Sequence, residues 1–166
     1  MSTDAIVILK EDHKAIKKLF NDFRNAGPNA AKTKSDIVSK IIEALTVHTY
    51  IENEGMYPAV RKAVPDVEDD VLESYEEHHV ADLLVMELAG MTPSDERFDA
   101  KTTVLIEIVE HHIEEEEDEW FPEVRKALGR KELQEIGEQL LDLKDKAPRS
   151  PAQPSALKKT IDAVIR

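Results

Sequence analysis

His48-Thr49-Tyr50-Ile51-Glu52 and, 64 residues further on, His112-Ile113-Glu114-Glu115-Glu116 are two copies of one pattern. The match continues beyond the glutamates. Tyr57-Pro58 lies over Phe121-Pro122, and Val60-Arg61-Lys62-Ala63 returns unchanged as Val124-Arg125-Lys126-Ala127. Residues i and i+4 of an α-helix share a face one turn apart, so each His-x-x-x-Glu pair aims an imidazole and a carboxylate into one volume. The apolar phase makes that volume the core: Ile41 and Leu45 lead into His48, as Leu105 and Ile108 lead into His112. The same phase selects His112 over His111, because Glu107 stands one turn before His111.

Two further segments carry a histidine in or beside an apolar stripe. Ile6, Leu9, Ile16, Phe20 and Phe23 step by threes and fours across Thr3 to Ala26, and His13 falls between Leu9 and Ile16. Between Glu68 and Ala89 the pair His78-His79 precedes Leu84, Val85 and Leu88. His78 shares a stripe with Ala81, Val85 and Leu88, and His79 one with Leu83 and Met86, so periodicity leaves both open.

Breakers separate these segments: Gly27-Pro28-Asn29, Pro65-Asp66, and Gly90 to Ser94. The repeat-bearing segments run from about Lys34 to Ala63 and from Asp99 to Leu128, with a kink or restart expected at Pro58 and Pro122. Arg130 to Lys146 reads as another amphipathic helix through Leu133, Ile136, Leu140 and Leu143. After a Pro- and Ser-containing linker, Ser155 opens a short last helix with Leu157 and Ile161 on its apolar side. Nothing alternates with period two. The fold expected is all-α, an antiparallel up-down-up-down four-helix bundle with additional C-terminal helices. Residues 1–146 form the bundle domain with its following helix, and residues 147–166 form the linker and last helix, which is expected to dock on the bundle or on a second subunit.

The chain has 166 residues, no cysteine and a net charge of −13. Absence of cysteine removes disulfides, thiolate catalysis and iron–sulfur clusters, so any metal here has nitrogen and oxygen ligands. The acidic balance, dense at Glu114 to Glu119, argues against a nucleic-acid footprint. No apolar run approaches a membrane span, and Met1 to Asp12 lacks the features of a signal peptide, which makes the cytoplasm the expected location.

A buried ionised carboxylate is costly unless a cation compensates it, and no Lys or Arg shares the stripes of Glu52 and Glu116. A metal centre meets both needs. Four imidazoles and two carboxylates exceed one tetrahedral zinc site; they suit one six-coordinate ion or two bridged ions, with iron or manganese ahead of zinc.

With these residues identified, the chain resembles the hemerythrin-like family, the HHE cation-binding domain, across about residues 4 to 146. The resemblance is carried by Glu11-Asp12-His13, His48-x-x-x-Glu52 with Tyr57-Pro58, Glu76-Glu77-His78-His79, and His112-x-x-x-Glu116 with Phe121-Pro122. It implies His78 rather than His79 as ligand. It also implies two irons, oxo- or hydroxo-bridged, held by His13, His48, Glu52, His78, His112 and Glu116, with Glu52 and Glu116 bridging. Oxygen-carrying members of the family have one more ligand histidine a turn before the His78 position, where this chain has Ser74. Tyr50 and Tyr75 are nearby phenols that either pack or stand in as donors. Loss of that imidazole shifts the expectation from oxygen carriage towards reaction with an oxidant, such as a catalase-like breakdown of hydrogen peroxide in oxidative stress. The alternative is an oxygen, nitric oxide or iron binding or sensing module without turnover. The expected partner is a small oxidant or diatomic gas, with no nucleic acid or membrane, on a monomer or weak homo-oligomer.

Overall fold

The computed structural model describes residues 2–151. Four long helical arms form the bundle. Helix α1 spans Ala5–Asn25 and α2 spans Ala31–Ile51, continued by a π-helical turn Glu52–Met56 and α3, Tyr57–Ala63. Helix α4 spans Glu68–Ala89. Helix α5 spans Phe98–Glu115 and continues through a second π-turn, Glu116–Trp120, into α6, Phe121–Ala127. Helix α7, Arg130–Lys146, packs against α1, α2 and the first π-turn. No strand occurs among the described residues, and the expected antiparallel bundle is the architecture found. The last helix expected at Ser155 lies outside them.

The expected interruptions at Pro58 and Pro122 take the form of the two π-turns, five residues each and again 64 apart. Proline has no N–H to donate and its ring clashes with the carbonyl four residues back, so the preceding turn is widened. The backbone N–H of Tyr57 donates to the Glu52 carbonyl, and that of Phe121 to the Glu116 carbonyl, both i→i+5. Each wide turn begins at the glutamate of a repeat motif. π-Turns of this kind are frequent at functional sites.

The apolar interior is divided in two. Ile16, Phe20, Ile41, Leu45, Val85, Leu88 and Leu105 pack at one end of the bundle. Ile6, Leu9, Ile51, Val71, Trp120, Phe121 and Leu140 pack at the other. Each long arm contributes to both clusters, and between them it places its histidine. Burying these side chains, each worth roughly 1.5–3 kcal/mol, holds the polar layer in register. Two glycines permit the close approach of α7. A Cβ on Gly55 would meet Leu140 at 2.6 Å, and one on Gly137 would meet the Thr3 carbonyl oxygen at 1.6 Å.

Candidate metal centre

The six residues singled out by motif, phase and, for His78, family resemblance converge between the two apolar clusters. Glu52, Glu116 and His13 are fully buried, and His48, His78 and His112 are at most 4% exposed. His79 is only partly buried and His111 points outwards. The donors fall into two groups, His13–His48–Glu52–Glu116 and Glu52–His78–His112–Glu116, each with its ligand atoms within 4.8 Å of one another. Both carboxylates belong to both groups.

Every imidazole turns Nε2 inwards. The Nε2 atoms of His13 and His48 are 3.1 Å apart, and those of His78 and His112 are 3.0 Å apart. Two donors at right angles and about 2.1 Å from one ion would be about 3.0 Å apart, whereas tetrahedral donors would be about 3.4 Å apart. Either spacing lets both nitrogens of a pair reach one ion. Outwards, each Nδ1 has a partner. His13 Nδ1 donates to Glu117 Oε1 (2.8 Å), His48 Nδ1 to Asp12 Oδ2 (3.1 Å), His78 Nδ1 to Asn53 Oδ1 (2.7 Å) and His112 Nδ1 to Glu77 Oε1 (2.9 Å). Such acceptors fix ring orientation and raise the basicity of the inward nitrogen, the usual outer support of metal-bound histidine.

These supports extend the repeat. Asn53 and Glu117 are 64 residues apart and follow Glu52 and Glu116, the two shared glutamates. Asp12 and Glu77 directly precede His13 and His78. Each braces a histidine of another helix, which ties all four arms through the polar layer.

A further polar group of the centre, the Tyr57 hydroxyl, was missed by sequence reasoning. The Tyr57 hydroxyl donates to Glu52 Oε2 (2.6 Å) and lies 3.1 Å from His78 Nε2, 3.3 Å from His112 Nε2 and 3.4 Å from Glu116 Oε2. Neither Tyr50 nor Tyr75 replaces the imidazole absent at Ser74. Tyr50 packs on the apolar cluster, and Tyr75 donates to the Asn53 carbonyl and stands edge-on to Tyr57. Phe121, the counterpart of Tyr57, stacks on His13 with ring centroids 6.1 Å apart.

Electrostatics reveal the same demand for cations. Burial acts to lower the His48 pKa, but Glu52 and Asp12 outweigh it and push the value up to about 10. His112 is likewise raised against burial, chiefly by Glu116. Glu52 is held well below the carboxylate range, burial being overcome by His48 first and by His112 and His13. His78 is lowered by burial and by the charge on His112. Burial and both carboxylates drive the Tyr57 phenol well above its ordinary value. In the metal-free protein, protons on His48 and His112 thus supply positive charge, whereas His78 is pushed towards its neutral form. Glu52 Oε1 and Glu116 Oε1 are buried against imidazole nitrogens: Glu52 Oε1 touches His48 Nε2, and Glu116 Oε1 lies 2.6 Å from His112 Nε2. Buried carboxylates faced by inward nitrogens, paired Nε2 atoms and braced rings all fit bound metal.

A small cavity adjoins the donors, lined by Leu45, His48, His78, Ala81, His112 and Ile113 among others, with a volume of about 10 Å³. That is close to the least space a single water molecule occupies. Among the described residues no helix is long and apolar enough to cross a membrane.

Comparison with known proteins agrees with this geometry. The chain is 26% identical over 128 residues to a DNA nickase of Nostoc sp. (strain PCC 7120), a match covering 77% of this chain but spanning only about a third (35%) of that relative's length. The fold superimposes on the crystal structure of a hemerythrin HHE cation binding domain-containing protein from Mycobacterium kansasii, with a TM-score of 0.72, 23% identity and 86% coverage of each chain. The profile of the hemerythrin HHE cation binding domain matches residues 4–124, and the chain therefore belongs to the hemerythrin HHE family of metal-binding proteins.

Proposed function

We propose that this chain holds two iron ions through His13, His48, Glu52, His78, His112 and Glu116, and that the loaded protein breaks down hydrogen peroxide. The observation that carries the reading is the sharing of Glu52 and Glu116 by both donor groups. One ion would leave two of the four imidazoles without a partner. Four imidazoles and two carboxylates exceed a tetrahedral zinc site and favour iron.

When bound, two redox-active irons supply the reversible two-electron capacity the reaction needs. One peroxide is oxidised to dioxygen, losing two electrons and two protons; a second takes up both and becomes two waters. The chain's own groups meet the remaining requirements. Glu52 and Glu116, which belong to both donor groups, would serve both cations. Asp12, Asn53, Glu77 and Glu117 keep each imidazole turned inwards. The small, largely apolar cavity beside His48, His78 and His112 marks the side from which a small oxidant would approach. Tyr57 offers a phenolic proton at the His78 and His112 side, where it completes a five-donor set, whereas the His13 and His48 side has four.

The test is peroxide added to the iron-loaded full chain at an oxygen electrode. Peroxide breakdown requires one O₂ for every two peroxides over many turnovers. Bleaching that stops after one equivalent, without oxygen release, would favour a binding or sensing module instead.

A further inference from the structure

Helix α5 carries two interleaved His-x-x-x-Glu pairs. His112 and Glu116 face the core, and His111 and Glu115, one residue earlier, point about 100° away. The outer pair is in contact, with His111 Nε2 2.9 Å from Glu115 Oε1, and the side chains are 65% and 23% exposed. Glu77 of α4 joins them, so that one ligand atom from each of Glu77, His111 and Glu115 lies within 4.8 Å of the others.

The internal repeat provides a control. At the positions equivalent to His111 and Glu115 the other half has Val47 and Ile51, both buried. The outer pair is therefore no by-product of the arm that carries the inner ligands. A lone i,i+4 His–Glu pair is a weak surface interaction. Here a second carboxylate, from a neighbouring helix, lies within 4.8 Å of the same imidazole and its partner, which gathers three donors of metal-ligating type on one exposed face. Glu77 also accepts from His112 Nδ1, so the outer cluster and the inner centre share a carboxylate.

We infer that Glu77, His111 and Glu115 form a solvent-accessible site for a divalent transition-metal ion, weaker than the inner centre, which stages metal on its way to the His78 and His112 side. The staging role rests on the inner centre binding metal; the outer site itself does not. Exposed imidazole and carboxylates on a strongly acidic surface capture hydrated cations quickly and release them readily.

The test titrates the metal-free full chain with Zn²⁺ by calorimetry and follows anaerobic Fe²⁺ loading of the inner centre by stopped flow. Wild type is expected to bind one weak equivalent beyond its tight ones. His111→Ala and Glu115→Gln should each lose that equivalent, keep the tight ones and load the inner centre about tenfold more slowly. Helical circular dichroism identifies a folded variant, and either substitution alone carries the test. Glu52→Ala should lose the tight equivalents and keep the weak one. A wild type with no weak equivalent, or a His111→Ala protein with unchanged stoichiometry, overturns the site; unchanged loading kinetics overturn the staging role. Loss of the tight equivalents in wild type, with the weak one present, would overturn the two-iron reading and leave the outer site standing.

Discussion

The two halves of the centre share one plan and differ in three places. Around His13 and His48 the residue five after the shared glutamate is Phe121, the outer acceptors are Glu117 and Asp12, and the equivalents of the surface pair are Val47 and Ile51. Around His78 and His112 the matching positions are Tyr57, then Asn53 and Glu77, then His111 and Glu115. The shared parts fix where cations are held. The differences make one half rich in donors and linked to the surface, the other poorer in donors and sealed by an aromatic ring. An internal repeat thus produces two similar donor groups, and departures from it give them different surroundings.

The largest effect is expected from removing what the halves have in common. Glu52→Ala should lower the metal content of the purified chain from two ions to none, because each group loses a shared donor; one ion remaining would show the halves to be independent. Next come single-half changes. His13→Ala and His78→Ala are each expected to retain one ion by elemental analysis, with His13→Ala keeping the Tyr57 side loaded.

Tyr57→Phe makes the halves alike. The chain should still bind two ions, and any visible phenolate-to-iron band should vanish. The metal-free protein should lose about 1–3 kcal/mol in chemical denaturation, because the buried Glu52 Oε2 loses its closest donor. An unaltered spectrum in the presence of such a band would remove Tyr57 from the donor set.

The smallest effect is on pH dependence. His48 has a folded-state pKa of about 10, above its ordinary 6.5. Its contribution to stability is therefore complete below pH 6.5 and fades as pH rises to about 10. The melting temperature of the metal-free protein should fall across that window. The loaded protein, whose ligand imidazoles are already deprotonated, should show a flatter profile, and metal binding should release protons at pH 7.

Much of this centre was legible in the residue order. The repeat located His48, Glu52, His112 and Glu116, apolar phase located His13, and family resemblance separated His78 from His79. The bounds of α4 match the expected Glu68 to Ala89. Tyr57 was hidden for a physical reason. In a regular α-helix, residue i+5 lies about 140° around the axis from residue i, so a phase argument turns Tyr57 away from Glu52 and leaves Tyr50 and Tyr75 as the phenols to consider. The π-turn adds a residue to the coil and brings Tyr57 over Glu52. Proline signals an interruption but not its kind. Asp12 and Glu77 escaped for another reason: each braces a histidine of a different helix, and no single-helix periodicity contains that pairing.

The central claim, two cations bridged by Glu52 and Glu116, is tested most directly by crystals of the iron-loaded chain measured at the iron absorption edge. Two anomalous peaks are expected, one among His13, His48 and both glutamates, the other among His78, His112, Tyr57 and the same glutamates. A single peak, or none at full iron loading, would contradict the account.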